Sequence, residues 1–415
     1  MLRKRICIIA FKDARSTIHV LRQIHYLSPD YDLTVIAHGS PDATWTNVSW
    51  RPIPQATLLS KVTRLLCYVI AILWPPMSEV WYWQTRRFKA AFEAALASDC
   101  DAIHANDWQA LPIAIEVARR TGAQVVFHQH EYAELEREDS LAWRLLVSPA
   151  IHRLLVKYTS DPAVAVDASI TVCEPIAERY RHELGIHPIV VYNAPPPVAI
   201  GRSGQPADPH RIRLIHHGFA QRGRGLHNLV KAMALADERF TLDFMLMADD
   251  PAYLDYLQAL ARRVAPGRVF FRAPVRPLDI VPTVSEYDIG LCVIEPSTYN
   301  FLMMLPNKLF EYVQAGLALC IGPSPAMVAI ARRHGVGVVT AGFAPGDIAA
   351  ALNRLSLDEI RAMREASRQA AAVLNADVEM AKVVALYEGL FGNAGDTLTR
   401  PSHLAAESRV GSLRS

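Results

Sequence analysis

The residues best suited to chemistry lie in Leu305-Pro306-Asn307-Lys308-Leu309-Phe310-Glu311-Tyr312, which runs through Val313-Gln314-Ala315-Gly316 into the apolar stretch Leu317 to Ile321. Pro306 and Asn307 are favoured at helix starts, so the spacing predicts a helix entered from a loop and followed by a strand. The first turn of such a helix has free N–H groups at the positive end of the helix dipole, and these suit an anion such as a diphosphate. Glu311 lies one turn further in, where its carboxylate can accept hydrogen bonds from both hydroxyls of a ribose. On a capped surface helix, Glu311 would merely complement the dipole. With Asn307 as N-cap, however, the capping-box position falls on Phe310. The preceding loop, Glu295 to Met304, is also too apolar for an idle surface, so the ligand-binding reading leads.

A second group closes an apolar run: Val125-Val126-Phe127-His128-Gln129-His130-Glu131. A lone histidine is usually structural. Two histidines and a carboxylate at the end of a parallel strand sit where α/β proteins place their chemistry. Metal ligation by His128, His130 and Glu131 is the lesser reading. Asp249-Asp250 before Pro251 fits a helix start better than an acidic metal pair.

The elements that position these groups alternate between short β-branched-rich runs and amphipathic stretches. Strands are predicted over Arg5 to Phe11, Leu33 to Ala37, Ala102 to His104, Gln124 to His128 and Ser169 to Val172. A second set covers Ile212 to His216, Thr241 to Met247, Val269 to Arg272, Ile289 to Ile294, Ala318 to Gly322 and Gly337 to Thr340. This alternation implies an α/β fold with two doubly wound, Rossmann-like domains facing across a cleft. Between the two sets, Asn193 to His210 is rich in Pro, Gly and Ser and reads as a linker. The expected divisions are an N-terminal domain at 1–193, a linker at 194–210, a C-terminal domain at 211–375, a final helix at 376–392 packing back on the N-terminal domain, and a disordered tail at 393–415. Neither strand that opens a domain is followed by G-x-G-x-x-G: the loops read Phe11-Lys12-Asp13-Ala14-Arg15 and Gly218-Phe219-Ala220-Gln221-Arg222-Gly223. A dinucleotide-dependent oxidoreductase thereby loses its main support.

Composition narrows the class further. With 51% hydrophobic and 20% charged residues, the chain is expected to be globular, and its net charge of +2 excludes a nucleic-acid footprint. Six dispersed cysteines, Cys7, Cys67, Cys100, Cys173, Cys292 and Cys320, mostly within apolar runs, are expected as free thiols in a reducing compartment. The N-terminal Leu2-Arg3-Lys4-Arg5 leads straight into a β-like run rather than a signal-peptide core, so cytoplasmic residence is expected. Leu65 to Trp74 is nearly unbroken apolar, too short to span a bilayer, and ends at Pro75-Pro76. It is expected as a buried core helix. The alternative is a helix at a membrane surface, with Lys61 and Arg64 near headgroups, giving peripheral contact through residues 58–83 at the inner membrane face.

The run Pro306-Asn307-Lys308-Leu309-Phe310-Glu311-Tyr312-Val313-Gln314-Ala315-Gly316-Leu317-Ala318 resembles the donor-site signature P-N-K-[LI]-[FW]-E-Y-x-x-A-G-x-P of the retaining family 4 glycosyltransferases, also called glycosyl transferases group 1, with the two-Rossmann GT-B fold. Ala318 replaces the final proline. Ile215-His216-His217-Gly218, followed by Arg224-Gly225-Leu226-His227-Asn228-Leu229-Val230-Lys231-Ala232, is similar to the family's strand, glycine loop and following helix. The resemblance implies that Glu311 binds the ribose and Arg224 the diphosphate, with Gly218, Asn307 and Lys308 around the donor. A fixed cation there stabilises charge growing on the leaving phosphates. Relatives carry an Arg where this chain has Phe219, and Arg222 is the expected substitute. They also carry an earlier Glu where Met303 stands, so sugar recognition passes to backbone amides from Asn300 to Leu305. The segment ending in Glu131 resembles the family's D-x-H-E run with His128 in the Asp place. That match implies that His130 hydrogen-bonds a sugar hydroxyl or the acceptor, beside Glu131. His104 and Asp107 look like the family's H-x-x-D segment on the acceptor side.

The implied activity is transfer of a sugar from a nucleotide-diphosphate donor to an acceptor glycan, lipid or small molecule, with retention of configuration and with no metal or cofactor. In the retaining members the acceptor attacks the face that the diphosphate is leaving and a donor phosphate oxygen takes the proton, so positioning and charge stabilisation carry the reaction. The competing class is a non-catalytic nucleotide-sugar-binding or partner-binding protein of the same fold; a GT-B epimerase ranks lower.

Overall fold

The computed structural model describes residues 3–14, 17–42, 45, 47–56, 58–198, 208, 210–248 and 250–392, with the side chains of 58–61 also outside the description. The expected tail at 393–415, positions 199–207 and 209 of the linker, and Asp249 lie outside the described residues.

In the N-terminal half, β1 (Arg5–Asp13), β2 (Asp32–His38), β3 (Val48–Pro52), β4 (Ala102–Asn106), β5 (Gln124–Gln129), β6 (Ala168–Thr171) and β7 (Ile189–Val190) form one sheet in the order β3-β2-β1-β4-β5-β6-β7. Every pairing is parallel; Ile6 of β1 lies opposite Leu33 of β2 on one side and Ala102 of β4 on the other. Helices cover both faces of such a sheet, which is why the central strands read as unbroken apolar runs. The second sheet contains β8 (Ile212–Phe219), β9 (Phe240–Met247), β10 (Val269–Arg272), β11 (Ile289–Cys292), β12 (Ala318–Ile321) and β13 (Gly337–Val339), ordered β10-β9-β8-β11-β12-β13 and again parallel. Strand order reverses between β1 and β4 and between β8 and β11, so each domain has a crevice at the carboxyl ends of those strands. The sequence signal misses β3, an exposed edge strand containing Arg51 and Pro52, and β7, which is only two residues long.

The helix Leu357–Ala371 opens with a capping box in which Ser356 and Glu359 satisfy each other's backbone N–H. The last helix, Ala376–Gly392, returns to the N-terminal sheet. Its Met380, Val383 and Tyr387 are buried against Ile6, Ile8 and Leu33, and its Glu379 accepts a 2.7 Å hydrogen bond from the Tyr192 N–H. Asp250 caps the helix Pro251–Val264 by accepting from the Tyr253 N–H.

One expectation is corrected. Leu65 to Trp74 does form a helix, Leu58–Leu73, terminated before Pro75-Pro76, but it is not a buried core helix. Tyr68 and Ala71 are buried, while Leu66 is 58%, Ile72 60% and Leu73 91% exposed. A nearly continuous apolar run offers no polar stripe to mark its outer face, so composition overstates its burial. Among the described residues, no helix is long and apolar enough to cross a membrane. All six cysteines are free thiols.

Candidate active site

The C-terminal half of the candidate site is built on β8 and the helix Asn307–Gln314. Pro306, not Asn307, is the N-cap, so the expected register moves by one residue. Asn307 is the first helical residue and its side chain bonds that of Asn193 on the N-terminal side of the cleft. Lys308 turns inward beneath the loop that follows β8, where its Nζ lies 3.2 Å from His216 Nε2. Gly218, at φ 129°, makes room for it: a Cβ there would stand 3.2 Å from Lys308 Nζ. Burial, and to a smaller degree the nearby Arg224 charge, lower Lys308 to about 8. His216 is held neutral, first by burial and then by Lys308. Glu311 Oε2 stands 3.2 Å from His217 Nε2, a contact without hydrogen-bond alignment. Arg224 lies with its guanidinium 5.5 Å from the centre of the Phe301 ring.

Arg222, the expected substitute for the missing loop arginine, is committed elsewhere. Its exposed guanidinium donates to Asp250 at 2.7 Å and lies over Tyr253. The short Gly218 to Gly223 loop points it outward, which corrects its assignment to the donor set.

The N-terminal half of the candidate site is built on the ends of β4 and β5. Asp107, a non-glycine residue at φ 61°, follows β4 and starts the helix Asp107–Thr121. Its carboxylate accepts from the His130 N–H at 3.2 Å, contacts His130 Nδ1 at 2.9 Å and pairs with Lys12 at 3.0 Å. Burial opposes its charge, yet His130 and Lys12 hold Asp107 well below the usual carboxylate range. The left-handed turn therefore aims one carboxylate at both neighbours, the kind of local strain found where geometry matters. His130 lies under His19, ring centres 3.9 Å apart, and beside His128 at 4.3 Å. Glu131 is open to the cleft but walled by protein, and this crowding, with Glu136 adding, pushes its carboxyl up to about 7.

His104 does not reach the cleft. It is fully buried and contacts Tyr387 Oη at 2.8 Å and His128 Nδ1 at 3.1 Å, while Gln23 reaches both imidazoles and Asn106. Its assignment to the acceptor surface is corrected: β4 is central in the sheet, and His104 lies two residues before the strand's end. Burial lowers His104 to about 3 and His19 and His128 well below the ordinary imidazole value, so these three imidazoles around His130 are uncharged at neutral pH.

Asn300 is also a bridge rather than a free ligand group. Its side chain accepts from the Tyr132 N–H at 2.8 Å and donates to the Tyr132 carbonyl at 3.0 Å. Nearby, Cys173 Sγ donates to the Met303 carbonyl at 3.3 Å. The loop ahead of the donor helix thus clamps the two domains. Between them lies a cleft of about 290 Å³ lined by His19, His130, Glu131, Glu136, Arg137, Asn193, Thr298 and Phe301, among others. Sequence reading missed His19, Gln23 and Arg22 on the helix Ile18–Leu27. Arg22 bonds Asn193, and burial lowers it to about 10. The available signal was position: this helix follows the first strand. Among the described residues, the grouping with metal-ligand spacing is Glu134, His152 and Glu183, which includes neither His128 nor His130.

Two parallel-sheet domains with convergent strand ends, a buried cation and a carboxylate on one wall and a histidine–aspartate pair on the other define a two-Rossmann group-transfer enzyme. Residues 16–197 match the family described as Glycosyltransferase Family 4. Sucrose-phosphate synthase of Thermosynechococcus elongatus has the same fold, with TM-score 0.69 and 15% identity over 94% of this chain and 100% of that one. So do an α,α-trehalose 6-phosphate synthase of Burkholderia multivorans (TM-score 0.63, 13% identity, 95% and 100% covered) and HepE of Anabaena in complex with UDP and glucose (TM-score 0.62, 14% identity, 93% and 100% covered). No curated protein matches the sequence. The chain is a glycosyltransferase of GT-B fold whose residues 16–197 match glycosyltransferase family 4.

Proposed function

We propose that this enzyme transfers a sugar, with retention, from a nucleoside-diphosphate donor seated on the C-terminal domain to an acceptor hydroxyl entering beside Glu131 and His130. The observation that carries the reading is the convergence of Lys308, Glu311 and Gly218 at the end of β8, opposite His130 and Asp107 at the ends of β4 and β5. The first turn of the helix Asn307–Gln314, with Lys308 and Arg224, supplies positive potential for the diphosphate. Glu311 accepts the ribose hydroxyls. As the glycosidic bond lengthens, charge on the leaving phosphates grows against fixed cations, which lowers the barrier without reorganisation. His130, oriented by Asp107, hydrogen-bonds the transferred sugar, and Glu131 positions the acceptor hydroxyl. Arg22 closes the donor site from the N-terminal side. Transfer requires no metal in this reading, because these cations stand where one would act. The acceptor side includes peripheral contact with a membrane through residues 58–83.

The test is thermal-shift screening against nucleoside diphosphates and nucleotide sugars beside a Glu311→Ala variant, followed by NMR of the product's anomeric proton. A shift with one nucleotide that the variant loses, and a product keeping the donor's anomeric configuration, is expected. No shift with any nucleotide would overturn the donor site, and an inverted product would overturn retention.

A further inference from the structure

We propose that the exposed face of the helix Leu58–Leu73, continued by Leu141 and Leu145, seats the enzyme on an anionic lipid surface beside the mouth of the acceptor cleft. Val62, Leu65, Leu66, Val69, Ile70, Ile72 and Trp74 on this helix and its end are each 46–60% exposed, and Leu73 is 91% exposed. Singly exposed apolar residues are ordinary, but a contiguous face of this size marks an interaction site. Its form suits a plane. It is one convex helix anchored inward by Tyr68 and Ala71, with Trp74 at its end, as in helices that lie in a headgroup layer.

Charge selects lipid over a second copy of the chain. The described side chains of residues 62–78 include Arg64 and no Asp or Glu. Exposed Arg144 lies between Leu141 and Leu145. A twofold contact through this face would bring cations against cations, whereas an anionic headgroup layer complements them.

The face is continuous with the site. The helix packs against the π-helical turn Trp143–Val147. Glu136 and Arg137 line the cleft, and Leu141 of the exposed face follows Arg137 by four residues. A bilayer under the helix therefore lies at the entrance used by the acceptor, so the acceptor is presented from the lipid surface. That last statement rests on the proposed glycosyl transfer; the seat on lipid does not.

The experiment is co-sedimentation of the full chain, without nucleotide, with phosphatidylcholine vesicles containing or lacking phosphatidylglycerol. A Leu66→Glu/Leu73→Glu variant is run in parallel, and melting temperature and nucleotide-induced shift are recorded for both. Binding to the anionic vesicles is expected, falling about tenfold or more in the variant with both thermal readouts unchanged. Vesicles with brominated acyl chains should quench a fluorescence component that Trp74→Phe removes. Wild-type protein left in the supernatant, or binding untouched by the paired substitution, would overturn the proposal. So would a wild-type dimer that the variant converts to monomer without vesicle binding. A retained nucleotide shift in any of these outcomes leaves the glycosyltransferase reading standing, and its loss in wild type separates failure of that reading from failure of the lipid seat.

Discussion

Lys308 carries a charge that its surroundings oppose, and this gives the donor site a pH signature. Burial lowers it to about 8, so the free enzyme loses this cation above that pH. A bound diphosphate stabilises the cation. Nucleotide affinity is therefore expected to hold below pH 8 and to fall above it by up to about tenfold per pH unit, measured by titration calorimetry; Lys308→Arg should flatten the profile. The stability linkage has the opposite sense. An unfolded lysine keeps its proton to about 10.4, so unfolding takes up a proton between about pH 8 and 10 and this group's contribution makes the native state more stable as pH rises. If Glu311 accepts the ribose hydroxyls as proposed, Glu311→Ala should cost about 2–4 kcal/mol, or roughly 30- to 1000-fold in nucleotide affinity. Glu131, pushed up to about 7, should give a transfer rate that rises as the carboxylate forms through neutral pH. Glu131→Gln should remove that rise from a kcat/KM profile against pH.

At the scale of elements, the helix Ala376–Gly392 ties the chain's end to the sheet that carries the acceptor site. Tyr387 is buried and contacts His104 Nδ1, which in turn meets His128 beneath His130. Tyr387→Phe loses about 1 kcal/mol and should lower the melting temperature by roughly 2–4 °C, with the nucleotide-induced shift unchanged because the contact touches only the N-terminal domain. A scanning-fluorimetry comparison checks both. The central strands were legible because burial on both faces leaves an apolar run such as Ile6 to Ala10. Edge strand β3 was not, because an exposed edge tolerates Arg51 and Pro52. The helix Leu58–Leu73 was legible as an element and misjudged in its environment: its sequence specifies an apolar cylinder, and the layers around it determine which side meets solvent.

For the whole molecule, activity depends on the two domains meeting over the donor. Asn300, through Tyr132, and Asn193, through Asn307, join them, and Asn300→Ala would leave the Tyr132 N–H and carbonyl without their side-chain partner, at about 1–3 kcal/mol each. The variant is expected to open, with a larger radius of gyration in X-ray scattering and a greater share of donor lost to hydrolysis, since closure excludes water. The sequence by itself determined the two α/β halves and the donor helix from Asn307 to Gln314, because hydrophobic period and helix-start residues act over a few neighbouring positions. It also pointed to His130 by its place after a strand and to Glu311 by its place one turn into that helix, while Asp107 came only from the family resemblance. Only the tertiary structure decided that His104 lies beneath the site rather than in it, that Arg222 is bound to Asp250, and that Arg22 bonds Asn193. Those outcomes depend on which side chains from distant segments compete for the same partner, and a local pattern carries no information about that competition.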